Sequence, residues 1–141
     1  RAVEEISLMT EPVPSITDLG VDEAAAARLL PHLDSFVKWE LLRFLHDNPM
    51  LEAAVEDLAR YTGRDETEVK PAARALTTAG LFRQEEGQTG YEYALTGDGK
   101  MREMIDHLVE SFVADRLVRL AVSAHILKAH REGARLSQMA G

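Results

Sequence analysis

The sequence predicts a mainly α-helical fold carrying one small β-hairpin, and three observations lead there. Residues 51–96 hold two short helical patterns, then two strand patterns joined by a glycine-bearing turn. Residues 100–132 contain neither Gly nor Pro and repeat apolar side chains at spacings of three and four, the mark of a long helix. Residues 1–20 scatter Pro12, Pro14 and Gly20 among acids and hydroxyl side chains, which reads as an arm. The expected organisation is an acidic arm and short helix over 1–34, a compact domain over 35–97, a long helix over 98–132 and a flexible tail over 133–141.

In chain order, the arm includes a short extended piece at Glu5–Met9. Asp22 can cap the first helix, Ala24–Ala27 with Leu29 and Leu30 favour it, and Pro31 closes it. Asp34 or Ser35 caps the next helix, which runs to about His46. Phe36, Val37, Trp39, Leu41, Leu42, Phe44 and Leu45 make it apolar nearly all round, so it should be central to the core, with Trp39 a core residue. A helix over Leu51 to Tyr61 follows, with Val55, Leu58, Ala59 and Tyr61 as its buried stripe and Gly63 as its stop. Asp65 with Glu68 has the spacing of a capping box for a third helix, whose Val69, Ala72, Ala73, Leu76 and Ala79 recur at helical spacing up to Gly80. Pro71 shortens or kinks that helix unless it falls in the first turn. Leu81 to Glu86 and Tyr91 to Leu95 read as strands. Thr96 then caps the long helix, ~50 Å if continuous; residues 111–115 are where it can fold back. A helix of that length needs a partner, and the commonest partner is a second copy of itself.

Composition narrows the function classes. No run approaches the ~18 apolar residues of a membrane span, and residues 1–15 lack the apolar segment of a secretory leader. The first residue is Arg1 rather than Met, which suggests a piece of a longer chain. With no cysteine there are no disulfides, thiolate metal sites or Cys nucleophiles, and a cytoplasmic location fits. The net charge of -8 is uneven. Residues 1–35 hold seven acids against two bases, residues 36–96 eleven against seven, and residues 97–141 six against seven. The basic end is Arg116, Arg119, Lys128, Arg131 and Arg135 against Glu132.

The stretch Leu76-Thr77-Thr78-Ala79-Gly80-Leu81-Phe82 followed by Tyr91-Glu92-Tyr93-Ala94-Leu95-Thr96-Gly97-Asp98-Gly99 resembles a pattern of bacterial winged helix-turn-helix regulators of the MarR, PadR and ArsR kind. Glu56-Asp57-Leu58-Ala59-Arg60-Tyr61-Thr62-Gly63 is similar to their second helix, and the resemblance covers roughly residues 35–100. It implies a winged helix-turn-helix whose third helix, about 66–79, enters the DNA major groove, while the wing, about 84–90, touches the backbone. The function it implies is a transcriptional regulator that binds double-stranded DNA as a homodimer and is not an enzyme. On that footing Thr67, Lys70, Arg74 and Thr77 would face the groove, with Arg64 and Arg83 on the backbone. Met101, Ile105, Leu108, Phe112, Leu117, Leu120 and Leu127 would form the dimer interface.

A second reading stands beside this one. Asp65, Glu66 and Glu68 crowd the start of the third helix, and Glu85 and Glu86 sit on the wing, where phosphate contacts call for cations. An acidic winged-helix module that binds a protein partner without DNA fits those acids. No catalytic constellation, phosphate loop or cofactor motif occurs. The histidines are His32, His46, His107, His125 and His130; 125 and 130 lie five apart and share no helix face well, so surface or capping roles are expected and no metal site. Met101 and Met104 read as core or interface rather than as a ligand pocket.

Overall fold

The computed structural model describes residues 15–88 and 90–140, with only the backbone for 137–140. The expected arm over residues 1–14 lies outside the described residues. Helix α1 spans Glu23–Leu29, between short 3-10 turns at Ile16–Leu19 and Leu30–His32. Asp22 caps it by accepting from the Ala25 amide at 3.0 Å. Helix α2 (Phe36–Asp47) starts at Ser35, whose hydroxyl accepts from the Lys38 amide at 3.2 Å. Asp34, the other cap candidate, pairs with the Lys38 ammonium at 2.7 Å instead.

The helix expected over Leu51 to Tyr61 is shorter. Ala53–Ala54 form strand β1, and helix α3 begins only at Val55 and runs to Thr62. β1 pairs antiparallel with β3 (Gly90–Leu95), Ala53 opposite Tyr93 and Ala54 opposite Glu92. Alanine favours helix locally, but here pairing with an existing strand overrides propensity. Strand β2 (Phe82–Gly87) pairs with the other edge of β3, from Phe82 opposite Leu95 to Gly87 opposite Gly90, giving the sheet order β1-β3-β2. Each strand therefore runs one residue further into the turn than expected. Helix α4 spans Glu66–Thr78, joined to α3 through Gly63, whose φ of +68° only glycine adopts without strain.

Helix α5 (Gly99–Ala114) starts after Asp98, not at Thr96. Buried Thr96 still shapes the entry, because its hydroxyl accepts from the Asp98 amide at 3.2 Å. The single long helix expected over 98–132 is two helices. Asp115 is extended (φ -127°, ψ 118°), and helix α6 restarts at Arg116 and runs to Ala140. Asp115 closes α5 with its amide and opens α6 with its carboxylate, which accepts from the Leu117 amide at 2.8 Å. Arg119 reaches back and donates to the Phe112 and Val113 carbonyls at 3.2 and 2.9 Å, satisfying groups that the break would orphan.

The break lets α6 fold back on the chain. Val118, Val122 and Ile126 are fully buried, and His125 donates through Nε2 to the Leu30 carbonyl at 2.7 Å. Met101, Ile105 and Leu108 are buried by the chain's own core, and half-buried Phe112 meets Trp39 edge-on at 4.9 Å. These four expected dimer residues are thus used within one chain, because a core of this size needs the inner face of α5 to close it. Leu117, Leu120 and Leu127 stay about half exposed. Among the described residues no helix is long and apolar enough to cross a membrane.

Two substitutions test the return of α6. Ile126→Ala should cost about 2–5 kcal/mol in urea unfolding, as a buried large-to-small change does; a cost below about 0.5 kcal/mol, typical of a surface position, would show that α6 does not pack on its own chain. Asp115→Ala removes a cap and should cost about 1 kcal/mol.

Candidate functional site

The outer face of α4 is built from its first turn. Asp65 precedes the helix, and the Glu68 carboxylate reaches back to the Asp65 amide at 3.4 Å. Acids there also suit the positive end of the helix dipole. Val69, Ala72, Ala73 and Leu76 are buried against the core, which turns Thr67, Lys70, Pro71 and Arg74 outward. The helix starts at Glu66, so Pro71 lies in the second turn, and the Thr67 carbonyl has no amide donor four residues on.

Thr67, Lys70 and Arg74 share a cleft of about 510 Å³ with Ala54, Val55 and Glu56 at the start of α3, Glu66, and Gly90, Tyr91 and Tyr93 of β3. Among the described residues neither Lys70 nor Arg74 has a carboxylate within ion-pair distance. Glu56 and Glu66 line the same cleft, so the cations face a mixed field. The start of α3 has no side-chain cap, since Ala54 offers none, and uncapped helix starts favour anions. Tyr91 is half exposed on the hairpin wall.

The other three expected contacts lie elsewhere. Arg64 is held by the Glu40 carboxylate on α2, donating through Nε at 2.7 Å and Nη2 at 3.0 Å, with Glu68 at 3.8 Å. The hydrogen bond that Arg64 donates to Glu40 is the main reason the guanidinium is raised above its ordinary pKa; burial opposes it, and the charges of Glu40 and Glu68 add to the rise. A raised folded pKa on a base stabilises the fold below the unfolded value, so the guanidinium's share of this pair is in place throughout the neutral range and fades only in strong alkali. Arg83 pairs with Glu85 on its own strand and with Glu52 at 3.4 Å. Thr77 is half buried and donates to the Ala73 carbonyl at 2.8 Å, so it does not face the cleft. In each case an acid or carbonyl of the chain within reach already holds the donor.

Sequence reasoning missed Tyr91 and the start of α3. Tyr91 stands two residues before buried Tyr93 on β3, and that alternation carried the signal. Nothing in the sequence foretold that β1 would bring the α3 start to the cleft. The histidines have local roles. His46 lies 3.1 Å from both Asp47 and Asp106, and His107 accepts through Nε2 from the Asp22 amide at 2.9 Å. Among the described residues no group of three or more His, Asp or Glu is placed to hold a metal ion.

Compared with known proteins, the chain matches no protein-family model and no curated protein.

Arg64→Ala should reduce stability by about 1 kcal/mol or less, as a partly exposed ion pair does. Lys70→Ala should leave stability within about 0.5 kcal/mol. Guanidinium unfolding of both variants checks the division; a larger loss for Lys70→Ala would mean that it holds the fold.

Proposed function

We propose that the chain is a winged helix-turn-helix DNA-binding regulator that works as a homodimer in the bacterial cytoplasm and is not an enzyme. In this reading α2, α3 and α4 are the three helices, the β2–β3 hairpin is the wing, and α4 is the reading helix. The observation that carries it is the pair Lys70 and Arg74, without a carboxylate partner among the described residues, one turn apart on α4 and open to the cleft beside Tyr91. Two cations on one helix face, a hydroxyl at Thr67 and the uncapped α3 start make a surface for phosphate and base edges. Leu117, Leu120 and Leu127 of α6, exposed at spacings of three and seven, support pairing with a second copy. Pairing would present two reading helices to a palindromic site.

One observation favours the second reading, an acidic module that docks a protein partner without DNA. Arg64 and Arg83 are neutralised by carboxylates, which leaves the wing with exposed Glu85 and Glu86. Nonspecific affinity for duplex is mostly phosphate electrostatics, so titration with random duplex at low salt separates the two.

Two outcomes test the regulator. Lys70→Ala with Arg74→Ala should remove duplex binding and leave the sedimentation mass unchanged; unaltered affinity sinks the assignment. In the wild type the slope of log affinity against log salt should exceed that of either single variant by roughly 0.9, one phosphate each. Leu117→Glu with Leu120→Glu should halve the sedimenting mass, and a wild-type monomer would end the dimer proposal.

A further inference from the structure

The described residues include four half-buried arginines: Arg43, Arg64, Arg83 and Arg102. Arg64 and Arg83 meet carboxylates, and Arg102 donates to the Thr96 and Pro49 carbonyls at 2.6 and 3.3 Å. Arg43 differs: its guanidinium lies 4.8 Å above the Phe112 ring, and its buried Nε has no acceptor. One turn earlier on α2, Trp39 meets the same ring edge-on at 4.9 Å. Trp39 is 4% exposed, and among the described residues its indole N–H also lacks an acceptor. Folded proteins satisfy nearly all buried donors, because each one left bare costs free energy. Both donors are sealed against that ring, so what a ligand can meet is the rest of the Arg43 guanidinium, which among the described residues has no carboxylate within ion-pair distance.

Arg43 also lines an open cleft of about 270 Å³ with Glu40, Phe44 and Thr62. At roughly 30 Å³ per water, that volume takes about nine waters, or an organic molecule of similar heavy-atom count. Phe44 forms an apolar wall, stacked on Tyr61 at 5.2 Å between ring centroids. Glu40 does not make the cleft a cation site, because both its oxygens are held by Arg64. The charge left to be met is that of Arg43.

We propose that this cleft binds a small organic monocarboxylate with an apolar body. The carboxylate accepts from the Arg43 guanidinium, and the apolar body lies against Phe44. A planar guanidinium pairs with a carboxylate through two parallel hydrogen bonds, which suits Arg43 better than a single acceptor would. Arg43 belongs to α2 and Thr62 ends α3, so the bound molecule bridges the two helices. Binding at this site does not depend on the DNA reading.

Trp39 is the only tryptophan in the chain, so its fluorescence reports on the ring contact directly. The full chain is titrated with sodium benzoate, with benzamide as the uncharged counterpart. The expected result is a saturable emission change with a Kd of about 1 mM or tighter, absent with benzamide and weakened about tenfold or more in Arg43→Gln. If circular dichroism shows that Arg43→Gln does not fold, Arg43→Lys, which keeps the charge and loses the planar fork, takes its place with the same weakening expected. No saturable change in the wild type overturns the site. An equal response to benzamide, or in the Arg43 variant, means an adventitious additive only and overturns it as well.

Discussion

The burial of α2 is the constraint on which the rest depends. Leu41, Leu42 and Leu45 are fully buried, and α3, α4, α5 and β3 all pack against this one helix. Each such leucine contributes roughly 1.5–3 kcal/mol of transfer free energy, so displacing α2 would undo several elements at once. Its polar residues therefore sit in fixed places. Glu40 takes Arg64 from the loop between α3 and α4, and Arg64 lies within ion-pair range of Glu68 in the first turn of α4. A charge on a core helix thus orients the helix that carries Lys70 and Arg74.

The acids around the cleft have a folding role. Glu66 and Glu68 occupy the first turn of α4, where negative charge offsets the helix dipole, and Glu68 also accepts from the Asp65 amide. The same charges weaken any attraction to phosphate. In the proposed regulator, weak nonspecific binding need not weaken selective binding, because selectivity is a difference of affinities. Two free cations amid carboxylates reward a ligand that meets both and penalise one that meets neither. Arg64 and Arg83 then act through the fold: one fixes the α3–α4 junction and the other ties β2 to Glu52, just ahead of β1.

Much of the fold was legible because local signals and packing agreed. Asp22 and Ser35 cap where their side chains predict, Gly63 turns where positive φ is needed, and Trp39 is core. β1 was illegible because Ala53–Ala54 has no strand signature and is a strand only through β3. The α5–α6 break was half legible. Asp115 is a good cap residue, yet the flanking apolar spacing runs through it unbroken. Of the site, Thr67, Lys70 and Arg74 were legible from helix phase alone. The fates of Arg64 and Arg83 were not, since Glu40 lies 24 residues from Arg64 and Glu52 lies 31 from Arg83.

Helix α6 explains why the apolar pattern after residue 115 is wider than one chain needs. Its inner face, Val118, Val122 and Ile126, closes the core once Asp115 has turned the chain. Its outer face, Leu117, Leu120 and Leu127, follows a second apolar phase that the fold leaves uncovered. A surface helix needs only one apolar stripe. The first stripe is used within the chain, and the second has no cover among the described residues. Leucines at spacings of three and seven would suit the seam of the proposed helix pair. The break at Asp115 gives the inner stripe its place, because a straight helix continuing α5 would carry Val118 and Val122 away from the core they fill.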